Sequence, residues 1–512
     1  MSRLPDGVTE EAFSRSLEEW RGVLGADAVI ADEAVLRGYA DSKALADPDA
    51  RMPAVVLVPE NKEQIAAVLK VAEREALPLW MCVNGVSAFV APPPKPGYVV
   101  LDLKRMNRVL EVNEDLAYCR VEAGVTFRQL HEHLRAAGSR LWVDPPASPD
   151  QAIADSFADH GVGSTPYTDH FLMQCGMEVM LADGLVVKTG MGAMPKSTCW
   201  QLFKFGYGPW IDGAFTQSNF GIVTQLGVWL MPQPPGYKPF MVSVPKEDDL
   251  GALMDMLRPL KINMVVPNGV AVSHILYDAA MHGSRASYQN GSGRLSETAI
   301  KAVADDMGLG VWNLYGALYG LPNNVDLAWE MVRGAFASIP GARVSSGEDM
   351  KDNAVWTYRE GMMRGVPSSA AENIADWAGG GLLRVSPTVP VDGEEAMRAF
   401  TESRAVVEAH DFDYLGQFSA TWRAATKTVA LSFDREQQAA QARACAEALM
   451  DATVKAGYGH ATVDPGLADK AAEAYDWNNH ALMDLTRRVK MALDPQGILS
   501  PGLAGIWPAS SE

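Results

Sequence analysis

At 512 residues the chain exceeds the size at which one hydrophobic core keeps growing, roughly 250–300 residues, so at least two domains are expected. Hydrophobic residues make up 48% and charged residues 21%, which excludes a disordered, collagen-like or low-complexity protein. A net charge of −19 excludes a nucleic-acid or anionic-membrane partner, and any phosphate on a ligand must be met by local amides or a local arginine.

The first residues, 1–6, carry no apolar core of signal-peptide length, and apolar stretches such as 227–232 fall far short of the ~20 residues that cross a bilayer. The five cysteines, Cys82, Cys119, Cys175, Cys199 and Cys445, are scattered without a C-x-x-C pair, as reduced thiols of a cytoplasmic protein would be.

Residues 10–24 predict an amphipathic helix with Phe13, Leu17, Trp20 and Leu24 on one face. A buried strand at 54–59 precedes a helix at 62–75, and strands follow at 79–83, 98–102 and 118–123 before a helix at 126–137. Residues 176–187 predict a hairpin turning at Asp183-Gly184, and 221–230 another strand. The run 232–236, P-Q-P-P-G, breaks regular structure and marks a domain boundary. Beyond it come helices at 248–260, 325–337, 394–410, 436–456 and 469–492, with strands at 312–318 and 428–433. The fold class expected is α+β, with 1–235 plus 470–512 as one domain and 236–469 as another.

Several motifs give this pattern a family. G-V-G-S-T-P-Y-T-D-H at 161–170, G-M-E-V-M-L-A-D-G at 176–184, F-T-Q-S-N-F-G-I-V-T at 215–224 and D-P-Q-G-I at 494–498 resemble the vanillyl-alcohol oxidase and p-cresol methylhydroxylase family along essentially the whole chain. The resemblance implies a two-domain flavoprotein-oxidase fold, with an FAD-binding domain and an inserted α+β substrate cap. It implies oxidation of para-alkylphenols by hydride transfer from the benzylic carbon to FAD. It also implies dimers or larger assemblies, some with a cytochrome c subunit.

Many positions to which the family gives chemistry differ here. The first phosphate loop, similar to G-R-N-x-G-Y-G-G in the family, reads N-G-V-S-A-F-V-A-P-P-P at 84–94, keeping Gly85 but placing Val86 and Ser87 at the Arg and Asn positions. In the second loop, Ala147 takes the place of the Asp beside the flavin and Ser164 that of a phenolate-side Tyr, while Asp150, Asp155 and Asp159 add negative charge. Leu382 and Ala375 stand where the family attaches flavin through His or Tyr, and Ala461 and Thr462 where it clamps the phenolate. The remnants are Tyr167 and Arg359, with Gly85, Gly161, Gly163, Ile222 and Val223 for a cofactor.

No replacement site is legible. His131 and His133, two apart on a helix, do not share a face, and no metal site is expected. Asp155, Asp159 and His160 read as solvated loop residues, and Gly379–Gly381 as a turn. The expectation is therefore a pseudoenzyme subunit without a cofactor, pairing with an active flavin-bearing homologue or with itself, and possessing no catalytic residues. Leu382, Leu383, Phe89 and Leu503 would partly fill the flavin space. The alternative is an active oxidoreductase that holds FAD noncovalently and oxidises a para-substituted phenol.

Overall fold

Short apolar runs between helical segments become buried parallel strands, because helices cover both faces of such a sheet. Val55–Leu57 and Leu79–Cys82 flank Val99–Asp102 in parallel register, and Val29–Ile30 adds an antiparallel edge. The helix Lys62–Arg74 packs Ile65, Val68, Leu69 and Ala72 inward, and Asn61 caps it by accepting from the Gln64 amide at 2.9 Å. The computed structural model describes residues 4–44, 47–85, 92–289 and 293–508.

A second, antiparallel sheet has the strand order Val109–Asn113, Tyr118–Glu122, Ile222–Trp229, Gln174–Met180 and Val186–Lys188. The expected hairpin closes between its last two strands, where Gly184 takes φ +83°. Helix Phe127–Ala136 carries the capping box of Thr126 and Gln129. One continuous core joins these two sheets.

The chain then enters an eight-stranded antiparallel sheet. Its order is Arg343–Ser346, Gly236–Val244, Trp312–Gly320, Val270–His274, Leu415–Ala420, Ala424–Asp434, Gly380–Pro390 and His460–Val463. Alternation sends Val242, Val272, Phe418, Val429 and Leu383 into one core with the helices Asp249–Ile262, Gly393–Ala409 and Ala439–Lys455. Part of the opposite face packs Tyr315, Leu415 and Leu382 against the helix Ile275–His282 and the segment Ala370–Trp377.

The tail returns to the first module. Leu79 N–H donates to Ile498 O at 2.8 Å, and Ser500 N–H donates to Leu79 O at 2.7 Å. The single helix expected at 469–492 is instead two, Ala468–Glu473 and Trp477–Leu493, with Asn478, Asn479 and His480 at positive φ. Asparagine reaches that region more readily than most residues, so a helical composition conceals a break. Among the described residues no helix is long and apolar enough to cross a membrane.

The fully buried Lys490 fastens this tail, donating to Asp494 Oδ2, Asn219 O and Leu499 O at 2.7, 2.7 and 2.8 Å. Replacing it by methionine strands the buried Asp494 carboxylate without its cation. Lys490→Met should cost about 3–5 kcal/mol, the range for breaking a buried pair. Denaturant unfolding measures it, and an unchanged midpoint would show that the pair does not hold the tail.

Candidate cofactor and substrate site

A cavity of about 700 Å³ opens where the two modules and the tail meet. Its walls are the strand end Met81–Val83, the loop 213–218, Ile222 and Val223, the edge strand at Ala461 and Thr462, and the tail at Gly502–Ala504. Tyr475, between the two C-terminal helices, and Leu482 and Met483 of the second close one side. Asn219 holds two walls in register, its Nδ2 donating to Ser500 O at 3.0 Å and Ile506 O at 2.9 Å. Gly221 is needed there, because a Cβ would stand 2.6 Å from Val179 Cγ1.

Small side chains leave this space: Ala154, Ala158, Ala461 and Ala504 border it. Among the described residues the filling expected from Leu382 and Leu383 is not found. Leu383 points away into the helix-covered core and Leu382 packs against the Ile275–His282 side, while Leu503 lines the wall; Phe89 lies outside the described residues. Strand alternation decides this, since 382 and 383 face opposite ways.

Asp155 corrects the sequence reading, for it borders the cavity from within a helix; Asp159 also borders the cavity but is exposed on the turn that follows, as a loop residue would be. Asp155 sits in the helix Ile153–Ala158, and its Oδ2 finds no hydrogen-bond partner among the described residues. Burial, with the nearby Asp159 and Asp102 charges, pushes its carboxyl up to about 7. Asp159 keeps contact with solvent, yet the surrounding protein pushes its carboxyl up to about 6, against the Gln217 amide that donates to it at 3.2 Å. His160 is exposed, at φ +52°, with its ring against Phe171.

The other expected site residues are spread over distinct environments. Gly85, at φ +77°, lies against the Tyr39 ring; Val86 and Ser87 lie outside the described residues. Gly161 and Gly163 belong to a packed knot, not to the cavity wall: a Cβ at Gly163 would meet Asp144 Oδ2 at 2.0 Å, and one at Gly161 would meet Ser156 Oγ at 2.1 Å. There Asp144 accepts from the Ser164 and Thr165 amides at 3.0 and 2.8 Å. His170 joins Asp144 at 3.3 Å and Ser156 at 2.8 Å, stacked on Phe157. The order Ser, His, Asp suggests a hydrolase, but all three are buried and none borders the cavity. Tyr167 is half-buried, and burial raises its hydroxyl above the usual range.

In the cap, Arg359 donates to Asp278 Oδ1 at 2.6 Å and Ser273 Oγ at 3.1 Å, and Tyr315 donates to Asp278 Oδ2 at 2.7 Å. Ala375 is buried, its carbonyl accepting from Ser432 Oγ. Ala147 packs against the cap, and its neighbour Ser148 donates to Glu372 Oε1 at 2.5 Å across the module boundary. Sequence reading missed Glu372, which Ser148 meets across that boundary and which no local signal marks.

Residues 53–190 match the model of an FAD binding domain, and residues 297–503 that of the C-terminal domain of FAD linked oxidases. The flavoprotein subunit of 4-cresol dehydrogenase [hydroxylating] from Pseudomonas putida is 35% identical, over 98% of this chain and 97% of its own. The crystal structure of p-cresol methylhydroxylase with substrate bound matches at TM-score 0.95 and 34% identity, covering 98% of this chain and 99% of that one. The isoeugenol complex of 4-ethylphenol oxidase from Gulosibacter chungangensis matches at 0.96 and 35%, over 100% of both chains. These matches overturn the expectation that no cofactor is bound. A space of ligand size is present where the FAD module, the cap and the tail meet.

The residues present fit FAD held without a covalent bond. The volume lies within the ~300–1,000 Å³ of small-molecule sites, Ile222 and Val223 border it, and Thr216, Gln217 and Ser218 offer polar groups. Two ionised carboxylates on the cavity wall would oppose an anionic cofactor. FAD affinity should therefore rise as pH falls from 8 to below 6, where both carboxyls gain protons, by about tenfold per charge neutralised. Asp155→Asn and Asp159→Asn should flatten that profile and tighten binding at pH 8. Titration calorimetry across pH measures it; a flat wild-type profile would show that the carboxylates do not meet the cofactor.

Proposed function

Since the chain belongs to the vanillyl-alcohol oxidase and p-cresol methylhydroxylase family of FAD oxidoreductases, we propose that it binds FAD noncovalently and oxidises a para-substituted phenol. The observation that carries the reading is the open cavity of about 700 Å³. A void of this size is costly to keep, because its walls forgo packing contacts, and a chain that had lost its ligand would gain stability by closing it.

FAD, when bound, would accept a hydride from the benzylic carbon. The chain's part is to hold the two molecules together and keep water out. Leu382 and Ala375 offer no atom that bonds to a flavin, so retention rests on the cavity walls alone. With Ala147, Ser164, Ala461 and Thr462 at the family's polar positions, turnover is expected to be slow, each missing transition-state donor being worth about 3–4 kcal/mol. Pairing with a second copy or a homologous subunit belongs to the proposal as well, the Pseudomonas putida relative being itself a flavoprotein subunit.

The purified protein should be yellow at one FAD per chain, and acid denaturation should release all the flavin into the filtrate. Anaerobic addition of 4-ethylphenol should bleach the bound flavin. Flavin left on the precipitated chain would contradict noncovalent binding, and a colourless protein that takes up no added FAD would refute the reading as a whole.

A further inference from the structure

The polar side chains of the cavity wall accept hydrogen bonds more readily than they donate them. The Thr216 and Ser218 hydroxyls donate to Gly213 O and Ala214 O at 2.8 and 2.6 Å, and Thr486 donates to Leu482 O at 2.9 Å. Gln217 commits its amide N–H groups to Asp159 Oδ1 at 3.2 Å and Ala461 O at 2.7 Å. Tyr475 donates to His460 O at 3.3 Å. Gln151 can present either end of its amide. Among the described residues no lysine or arginine borders the cavity, and the sequence V-S-A-F-V-A at 86–91 carries none either.

Two acceptors on this wall are left unmet. His460 borders the cavity and is 8% exposed. The Thr453 hydroxyl donates to Leu449 O at 3.0 Å and Met450 O at 2.9 Å, so toward His460 Nε2, 3.0 Å away, its oxygen accepts. Nε2 therefore carries the ring's hydrogen. Nδ1 is then a bare lone pair, buried without a partner among the described residues. Burial pulls this imidazole down to about 4, so the ring is neutral. Asp155 Oδ2 is likewise buried and unpartnered, and Asp155 borders the same cavity. Asp159, four residues on and exposed, borders it too. A buried acceptor left unmet is costly, so the ligand has to bring the hydrogens.

We propose that the cavity selects a cationic aromatic substrate, a para-substituted phenol whose side chain ends in an ammonium group, with Asp155 and Asp159 receiving that group and His460 Nδ1 accepting a further hydrogen bond from the ligand. An ammonium has three N–H donors and no lone pair, which suits a wall of acceptors; a carboxylate is acceptor-only and finds no cation there. Phe215, Phe220 and Tyr475 border the same space, and aromatic rings attract cations. The net charge of −19 draws a cation toward the protein and repels an anion. The inference rests on the phenol oxidation proposed above and names its substrate class.

Calorimetry on the full-length protein, with FAD bound and without it, tests this with three phenols of matched size. They are the cation 4-(2-aminoethyl)phenol, the neutral 4-propylphenol and the anion 4-hydroxyphenylacetate. At neutral pH the cation should bind at least about tenfold more tightly than 4-propylphenol, as one charge-assisted hydrogen bond gives, and the anion more weakly than either. Asp155→Asn keeps the shape of the side chain and removes its charge, and should bring the cation-to-neutral affinity ratio close to equality. Asp159→Asn should lower that ratio in part, and His460→Phe, a ring without the acceptor, should lower it as well. A wild type that binds 4-propylphenol as tightly as the cation, or an Asp155→Asn variant that keeps the preference, would overturn the inference. So would a preference present without FAD and lost when FAD is bound, since the acceptors would then belong to the cofactor. Should Asp155→Asn fold poorly, the wild-type ranking and the exposed Asp159→Asn decide. A chain that takes up no FAD sinks the proposed function instead, and its affinity ratio without FAD still decides the substrate class.

Discussion

One buried ammonium governs the geometry of the cavity. Lys490 donates to a carbonyl of the 213–223 loop, a carbonyl of the tail and the Asp494 carboxylate, and the first two segments are facing walls. Burial pulls Lys490 below the usual lysine range, and Asp494 opposes that pull. Asp494 in turn accepts from the Ile498 and Leu499 amides, so the turn leading to Ser500 is fixed from both ends. A pair like this gives little net stability compared with apolar packing, because both ions lose their water. What it gives is position. A tail from the far end of the chain is set against Leu79 and Asn219, and the cavity exists between them.

The site separates what backbone does from what side chains do. Ala461 and Thr462 border the cavity, where side chains would touch a ligand. The features that shape the walls lie one layer behind: the Asp144–His170–Ser156 knot, Asn219 between loop and tail, and the missing Cβ of Gly221. Those are packing constraints, and packing constraints tolerate little change in a close-packed interior. Reading lost side chains as a lost cofactor overlooked this division. Alanines at a wall enlarge a cavity, and Ala154, Ala158, Ala461 and Ala504 border this one.

The sequence made much of the architecture legible where signals are local. The apolar runs at 54–59 and 98–102, the Asp183-Gly184 turn and the Thr126–Gln129 capping box each act within a few residues, and each produced its element. The break at Asn478–His480 escaped because composition there is helical while the backbone is not. The order of eight cap strands escaped because pairing of 270–274 with 415–420 depends on distant partners. The site was legible as a set of departures from a family pattern. Its own chemistry was not: Asp155 and Asp159 join Asp102 only in three dimensions, and Glu372 meets Ser148 across 224 residues.

The cap sheet explains how one strand can serve both folding and binding. On its helix-covered face, buried cations are satisfied by fixed protein groups: Lys427 donates to Ala399 O at 2.6 Å and to the Ser403 hydroxyl, and Lys261 to Asn268 O. Burial brings each of these lysines down to about 7, so each carbonyl partner matters to the core around it. On the other face stands a polar row, Ser386, Thr428 and Gln417, with Arg384 beside it. Alternation along Gly380–Pro390 couples the two faces, since a slip of one residue would put Arg384 into the core and Leu383 into the polar row. The irregularity between Ser386 and Pro387 lets the edge strand His460–Val463 bend without moving Arg384 or Leu383 from their faces. The apolar residues that fold the cap therefore also set the register at which its polar face meets the cofactor module.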